Sequence, residues 1–275
     1  MRFPIILSVL VALISALPAV SEQRLQPLRT RADLLGWEAL GRLDLATTGY
    51  CSAALIAPDQ VLTAAHCLFD GEGKRVAADK ITFRAGYVEG VALAERGVDR
   101  VVVDAGYLDD ASPKIRPQMM RHDVALLRLS APILSDVADP FVIHTDPQDG
   151  DEVSVLSYGR GRSEHLSWQR DCSVLSQGWG LLTLDCDVTY GSSGAPVFVR
   201  HGNRMRILSV ISATGETAEG IKRSYGMALT DAVAELKRRL RVEDAPSVRS
   251  TGGAKRIQIG NRSGTGAKFI RADGG

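Results

Sequence analysis

Two adjacent serines, Ser192 and Ser193, stand between glycines in the segment TYGSSGAPVF (189–198). A serine hydroxyl is a weak nucleophile near neutral pH, and it attacks a carbonyl group efficiently only when a base takes its proton. Clusters of glycine, serine and proline are also typical of a tight turn that leads into a strand. The segment therefore predicts either a nucleophile or a structural turn, and the choice depends on a base and a carboxylate elsewhere in the chain.

The order of candidate residues along the chain separates two arrangements of a serine nucleophile. A nucleophile elbow between a strand and a helix requires a histidine after the serine, and His201 stands instead at a predicted hairpin tip, RHGN (200–203). The opposite order fits, with His66 first, then Asp123, then Ser193. His122 could compete as the base but is interpreted as a neighbour of Asp123, and His144 and His165 are interpreted as structural.

Short apolar runs separated by glycine, proline or aspartate fill the chain from about residue 40 to residue 230. This pattern predicts a β-sandwich or β-barrels. The predicted strands are 52–56, 81–84, 100–103, 124–129, 152–157, 180–184, 197–200 and 206–211. A helical pattern follows at 232–240, with Thr230 or Asp231 as its N-cap and basic residues in its last turn.

Three motifs together resemble the trypsin-like (chymotrypsin-fold) serine protease family over roughly residues 40–242. TAAHC (63–67) is similar to the family's histidine motif, HDVALLRL (122–129) to its aspartate motif, and GSSGAP (191–196) to its serine motif. The resemblance implies an all-β protein of two antiparallel Greek-key β-barrels packed face to face, with a C-terminal helix. It also implies that His66 and Asp123 belong to the first barrel and Ser193 to the second, with a boundary near 130–140.

The resemblance assigns a role to each motif residue. Ser193 attacks the substrate carbonyl, His66 takes and returns the proton, and Asp123 orients the imidazole. The backbone N–H groups of Gly191 and Ser193 are expected to form an oxyanion hole, with Ser192 as a positioning neighbour. The predicted function is a secreted serine endopeptidase that acts through an acyl-enzyme. The alternatives are a catalytically inactive binding protein and an esterase, both on the same fold.

Several positions depart from the digestive trypsins and resemble the bacterial, glutamyl-endopeptidase-like branch. Ser192 stands where many members carry the aspartate that pairs with a newly freed N-terminus, and no Ile-Val-Gly-Gly-like start occurs at 35–41. Asp187, six positions before the nucleophile, is predicted at the floor of the primary pocket, where a carboxylate favours Lys or Arg. Ile211 stands where that branch is expected to place a glutamate-binding histidine. The pocket wall is predicted at Ser212, Ala213 and Thr214.

The first 21 residues have the layout of a secretory signal peptide, with a positive start, a short apolar run and small residues after it. Export places the chain in an oxidising compartment, secreted or periplasmic, where an even number of cysteines predicts disulfides. The predicted pairs close short loops, Cys51–Cys67 and Cys172–Cys186. A zinc site is the alternative, but the chain has no C-x-x-C pair.

The predicted organisation is a signal peptide at 1–21, a protease domain at 22–242 and a flexible tail at 243–275, which is rich in Gly, Ser, Arg and Lys. The formal net charge of +1 gives no electrostatic reason to expect nucleic acid or an anionic membrane as a partner. The expected partner is a protein or peptide substrate. The mature chain is expected to be a monomer without a membrane span, and neither a cofactor nor a metal ion is expected.

Overall fold

A computed structural model of the protein describes residues 25–46, 49–108 and 117–242. The predicted signal peptide and the predicted tail therefore lie outside the described residues. Among the residues that are described, no helix is both long enough and apolar enough to cross a membrane.

Strands make up most of the regular structure in these ranges. In chain order they are β1 (Gln26–Leu28), β2 (Leu40–Leu45), β3 (Gly49–Ala57), β4 (Gln60–Thr63), β5 (Ile81–Ala85), β6 (Ala94–Val103), β7 (Ala125–Leu129), β8 (Glu152–Ser157), β9 (Leu166–Gly178), β10 (Leu181–Leu184), β11 (Pro196–His201), β12 (Arg204–Glu216) and β13 (Lys222–Met227). The helices are α1 (Ala105–Leu108), α2 (Pro117–Met120) and α3 (Thr230–Val242), and two 3₁₀ turns span Ala65–Leu68 and Ala78–Lys80.

The first barrel is closed by six antiparallel strands in the order β2-β3-β4-β7-β6-β5, with β5 returning to β2. Alternate residues of each strand point into a barrel, which is why the inward positions are large and apolar. Leu43, Leu55, Phe83 and Leu127 fill this interior and are fully buried. The barrel is therefore a packed core, and its loops are free to carry functional residues.

The second barrel contains strands β8 to β13. They pair antiparallel in the order β8-β9-β10-β13-β12-β11, and β11 returns to β8 to close the barrel. Val155, Leu184, Val197 and Leu208 belong to its buried core. The connection between the barrels runs through residues 130–151. The two-barrel all-β architecture expected from the resemblance is confirmed.

The predicted elements agree with the structure where the sequence pattern is locally strong. Each of the eight predicted β-runs falls in a strand with at most one residue outside it. The predicted helix at 232–240 is the centre of α3, which buries Val233, Leu236 and Leu240 and carries Asp231 in its first turn. Strands absent from the prediction are short or polar on one face: β1, β2, β4, β9 and β13.

Each end of the described chain crosses to the other barrel. Strand β1 precedes the first barrel, yet it pairs with β9 of the second. Helix α3 follows the second barrel, yet it packs against β6 and β7 of the first, where Arg239 Nη1 donates to Val103 O at 2.7 Å. Trp37 lies in the segment after β1 and contacts Trp168 and Phe198 edge-on. These crossings hold the barrels against each other.

Both disulfides join cysteines that are close in sequence. Cys51–Cys67 joins β3 to the 3₁₀ turn Ala65–Leu68 in the first barrel. Cys172–Cys186 joins β9 to the segment that follows β10 in the second barrel. All four cysteines are paired. Each barrel therefore has one covalent link beside a loop that leads to the predicted site.

Replacing Trp37 by alanine is expected to lower the free energy of unfolding by about 3–5 kcal/mol, because a cavity remains where the indole packed. The indole is 7% exposed and contacts the rings of Phe141, Trp168 and Phe198. Urea denaturation followed by far-ultraviolet circular dichroism measures the loss. Trp179→Ala is the matched control, since that side chain is 94% exposed and its removal should change stability by less than about 0.5 kcal/mol. Equal losses in both variants would contradict this packing role.

Candidate active site

The three residues of the predicted triad lie on loops that meet between the barrels. His66 is in the 3₁₀ turn that follows β4, and Asp123 lies two residues before the start of β7. Ser193 lies in the loop that precedes β11 of the second barrel. His66 and Ser193 line the same cleft, and Asp123 lies behind His66 with no exposed side-chain surface.

Asp123 holds His66 through both carboxylate oxygens. Oδ2 lies 2.7 Å from Nδ1 of the His66 ring, and Oδ1 accepts the His66 backbone N–H at 2.8 Å. Ser212 Oγ also donates to Oδ2, at 2.5 Å. A buried carboxylate is costly unless its oxygens are hydrogen-bonded, and these three donors meet that requirement. The imidazole is thus fixed in position and in tautomer, with its proton on Nδ1 and its lone pair on Nε2.

The environment of His66 makes it a stronger base than a free histidine. Burial lowers the pKa of His66, because it disfavours the charged form. The charge and the hydrogen bond of Asp123 act in the opposite direction and outweigh burial, so that the pKa is raised above its ordinary value. A raised pKa means that the ring accepts a proton more readily, which is what a general base must do.

Two glycines shape the loop that carries Ser193. Gly191 and Gly194 have φ angles of +85° and +77°, in the left-handed region that favours glycine. A Cβ atom at Gly191 would collide with the carbonyl oxygen of Tyr158 and the ring of Tyr50. Neither position can therefore carry a side chain without moving the backbone around Ser193.

Ser52 of the first barrel holds the loop that carries Ser193 by hydrogen bonds across the contact between the barrels. Its N–H donates to Ser193 O at 2.9 Å, and its hydroxyl donates to Gly191 O at 2.8 Å. The same hydroxyl accepts the backbone N–H of Tyr158 at 2.9 Å. Ser52 is 1% exposed, so these bonds are shielded from water. Sequence patterns do not reveal this role, because the partners of the Ser52 N–H and hydroxyl lie more than a hundred positions away: Tyr158, Gly191 and Ser193.

The backbone N–H groups of Gly191 and Ser193 are available to a ligand. Within residues 25–46, 49–108 and 117–242, neither group has a hydrogen-bond acceptor. Ser52 holds the carbonyl groups of the same two residues, and these bonds fix the orientation of the loop. Two free N–H groups beside a serine hydroxyl can bind an oxygen that gains negative charge.

Apolar and aromatic side chains form most of the cleft. Leu45, Phe69 and Met120 line it, and Tyr50 and Tyr190 contribute rings. Among the described residues that line it, Arg160 is the one permanently charged side chain, and its guanidinium lies 4.0 Å from the centre of the Tyr190 ring. The cleft thus offers a largely apolar surface with one cation at its edge.

The predicted pocket residues fall in two places. Ser212, Ala213 and Thr214 lie on β12 and line the cleft beside Ser193. Asp187 lines an adjoining cavity instead, where its Oδ1 is 3.2 Å from Lys222 Nζ. Its side chain is 51% exposed. The carboxylate predicted as the pocket base therefore already has a cationic neighbour.

The cysteines beside His66 are not available as metal ligands, and the other described histidines do not line the cleft. Cys51, His66 and Cys67 bring possible metal-ligand atoms within 4.8 Å of one another, but both sulfurs belong to a disulfide and offer no thiolate. His122 pairs with Asp104, Nδ1 to Oδ1 at 2.8 Å. Of the histidines in the described ranges, His66 is the one that lines the cleft.

Two closed six-stranded barrels with this cleft between them define a chymotrypsin-like fold. A family model described as the trypsin-like peptidase domain matches residues 51–205, which is more than half of the chain. The chain belongs to this family. The match includes His66, Asp123 and Ser193.

Curated relatives are serine proteases at low identity. Serine protease 23 of Bos taurus is 28% identical over 175 residues, which cover 57% of this chain and 45% of that protein. Serine protease 23 of Rattus norvegicus is 29% identical over 172 residues, with 56% and 44% covered. The matched region thus spans less than half the length of these relatives.

Solved structures share the fold. A Glu endopeptidase in complex with MPD superposes with a TM-score of 0.62 at 18% identity and covers 75% of this chain and 91% of that one. The thermostable serine protease AL20 from an extremophilic microorganism has a TM-score of 0.60 at 21% identity, with 74% and 97% covered. Protease Anisep from Arthrobacter nicotinovorans has a TM-score of 0.59 at 18% identity, with 74% and 94% covered.

The protonation of His66 is expected to follow its carboxylate partner. The charge of Asp123 raises the pKa of His66, so the titration midpoint should lie above the ordinary value of about 6.5 and should fall to lower pH in Asp123→Asn. Nuclear magnetic resonance of the His66 ring protons across pH measures the midpoint directly. Asp104→Asn is the control, because Asp104 pairs with His122 and should leave the His66 midpoint unchanged. An unchanged midpoint in Asp123→Asn would contradict the coupling.

Proposed function

We propose that the protein is a secreted serine endopeptidase that hydrolyses peptide bonds through an acyl-enzyme on Ser193. The observation that carries this proposal is the contact between His66 and the buried Asp123, 2.7 Å between Nδ1 and Oδ2, at the wall of the cleft that contains Ser193. Membership of the trypsin-like peptidase family supports a proteolytic activity.

In the proposed reaction the proton moves between Ser193, His66 and the substrate. His66 Nε2 takes the proton of Ser193 Oγ as this oxygen bonds to the substrate carbonyl carbon. The imidazolium that forms is stabilised by the negative charge of Asp123. It then gives its proton to the leaving amine as the peptide bond breaks, and water repeats the sequence to release the acid and regenerate Ser193.

The developing oxyanion is proposed to bind the N–H groups of Gly191 and Ser193. Each such donor lowers the barrier by about 3 kcal/mol in proteases where it has been removed. The free state of both groups and their fixed orientation support this role. Since the donors are already in place, they need no reorganisation when charge develops on the substrate.

The proposal includes export and the organisation of the chain. The signal peptide at 1–21 directs the chain out of the cytoplasm, the catalytic domain comprises 22–242, and 243–275 is a tail. The two disulfides support an oxidising compartment, because such bonds persist in secreted and periplasmic proteins. Edman sequencing of the secreted protein identifies its first residue, and a start far from residue 22 would contradict this organisation.

The nucleophile is tested by labelling with a serine-directed fluorophosphonate, followed by mass spectrometry of the labelled peptide. We expect the label on Ser193, and we expect Ser193→Ala to lose about 10³-fold or more of peptide turnover while it keeps the native circular dichroism spectrum. Ser192→Ala is the matched control and should still accept the label. A label on Ser192 would reverse the assignment.

The same experiment distinguishes the alternative functions. A wild-type protein that neither reacts with the fluorophosphonate nor hydrolyses peptides would be a binding protein on a protease fold. A protein that takes the label and hydrolyses ester substrates, but not peptide substrates, would be an esterase. Turnover of a peptide library at measurable rates supports the endopeptidase proposal.

Substrate preference in this proposal depends on the balance of charge around Asp187. An aspartate at a pocket floor favours Lys or Arg, but here Lys222 Nζ lies 3.2 Å from its Oδ1, and the charge of Arg162 is also near. The pair is about half exposed, so Lys222 weakens the field of Asp187 without cancelling it. We therefore propose only a modest preference for basic residues in the wild type.

Lys222→Ala is expected to raise kcat/KM for an Arg substrate relative to an Ala substrate by about threefold, since exposed ion pairs are worth up to roughly 1 kcal/mol. Lys222→Ala combined with Asp187→Ser should lose this gain, because the carboxylate is then absent. Paired Arg, Ala and Glu peptides measure the ratio. A gain that persists in the double variant would exclude Asp187 from the pocket.

A further inference from the structure

A chain of polar groups runs from the partly buried Arg162 through the buried Ser157 to the loop that carries Ser193. Ser192 is 0% exposed and stands between the two free N–H donors of Gly191 and Ser193. Its Oγ lies 2.9 Å from Oγ of Ser157, at the end of β8. Ser157 in turn accepts two hydrogen bonds from Arg162 Nη1, one on its carbonyl oxygen at 2.9 Å and one on its Oγ at 3.2 Å.

The chemistry of these groups determines the donor in the first bond of the chain. A guanidinium donates hydrogen bonds and cannot accept one, so the hydroxyl of Ser157 accepts from Arg162. Either hydroxyl can donate the bond between Ser157 Oγ and Ser192 Oγ, and the two bonds together connect Arg162 through Ser157 to Ser192. Because the donor of the first bond carries a positive charge, that bond is stronger than a bond between two neutral groups.

The Arg162 guanidinium packs against Gly159 and is partly removed from water. A Cβ atom at Gly159 would lie 2.5 Å from the Arg162 Cζ, so the guanidinium occupies space that a side chain at this position would fill. Burial lowers the pKa of Arg162, while the negative charge of Asp187 acts in the opposite direction. A guanidinium that gives up water requires partners in the protein, and Ser157 supplies two of them.

Ser192 cannot form an ion pair with a chain terminus, because its hydroxyl carries no charge. In the segment 35–41, Trp37 is 7% exposed. Trp37 packs against Phe141, Trp168 and Phe198, so this segment forms part of the contact between the barrels. Ser192 is therefore held by a hydrogen bond to Ser157 rather than by an ion pair.

We infer that Arg162 is a positioning residue, which acts through Ser157 and Ser192 to hold the N–H groups of Gly191 and Ser193 in the geometry that binds the oxyanion. The loop then reaches its active form without a new N-terminus cut from residues 35–41. This inference rests on the proposed serine protease function. It predicts an effect on the rate of acyl transfer. Arg162 also lines the cavity that holds Asp187, so the test uses a substrate whose side chain is small and uncharged.

The test is a double-mutant cycle of Arg162→Ala and Ser192→Ala, measured on a peptide substrate with Ala at the cleaved bond so that pocket charge has little influence. Each single variant should lower kcat by about tenfold, the worth of one hydrogen bond to a charged group, with KM changed by less than about twofold. The double variant should lose about tenfold rather than about a hundredfold, because both changes break the same chain. Ser157→Ala should behave like the single variants.

Arg200→Ala is the control, since Arg200 is exposed on the same barrel and should keep wild-type kcat. If Arg162→Ala fails to fold, Gly159→Ala replaces it, because that Cβ displaces the guanidinium while all polar groups remain. Wild-type protein with a few extra residues before residue 22 should also keep its kcat.

Three results would overturn the inference: unchanged kcat in Arg162→Ala, additive losses in the double variant, or loss of kcat on N-terminal extension. If wild-type protein takes no fluorophosphonate label on Ser193, the proposed function is contradicted and the inference fails with it. If wild-type protein takes the label and hydrolyses peptide, but Arg162→Ala has the same kcat, only the positioning role of Arg162 is contradicted.

Discussion

The geometry of the site depends on the hydrogen bonds that Ser52 makes across the two barrels. Its N–H and its hydroxyl hold the carbonyl groups of Ser193 and Gly191. The preceding residue, Cys51, is bonded to Cys67, which adjoins His66. The nucleophile and its base are therefore connected by a short covalent and hydrogen-bonded route, although they belong to different barrels. A shift of one barrel against the other would have to break buried hydrogen bonds, which are costly to leave unmade.

The burial of Asp123 determines the electrostatics around that route. A carboxylate with no exposed surface is tolerable because the His66 backbone, the His66 ring and Ser212 all hydrogen-bond to it. Ser212 lies on a strand of the second barrel, and so Asp123 of the first barrel is held from both sides. The same residue that orients the base thus also ties the barrels together. Orientation and stability cannot be altered independently at this position.

Much of the fold could be predicted from the sequence because its signals are local. The motifs around His66, Asp123 and Ser193 each lie within one short segment, and the strongly apolar runs identify most of the strands. Strand β9 was missed because polar residues fill one of its faces, and its pairing partners are needed to recognise it. Ser52 was missed for a related reason, since its significance comes from partners that folding brings near.

Asp187 also shows what sequence spacing cannot reveal. Its spacing from the nucleophile identified the residue, but spacing carries no information about Lys222, which lies 35 positions later on β13. The chain from Arg162 to Ser192 likewise joins residues of separate loops and strands. Sequence patterns locate residues of the right type, and the charge around each of them becomes visible only in three dimensions.

The positions of β1 and α3 affect how the protein unfolds. Strand β1 precedes the first barrel in sequence but pairs with the second, and helix α3 follows the second barrel but packs against the first. The six strands of each barrel are consecutive in sequence, but each barrel also packs against an element from the opposite end of the described chain. The two should melt as one cooperative transition. A single backbone nick in the connection at 130–151 would leave each fragment still carrying an element of the other's barrel, and the halves would remain associated as a complemented pair.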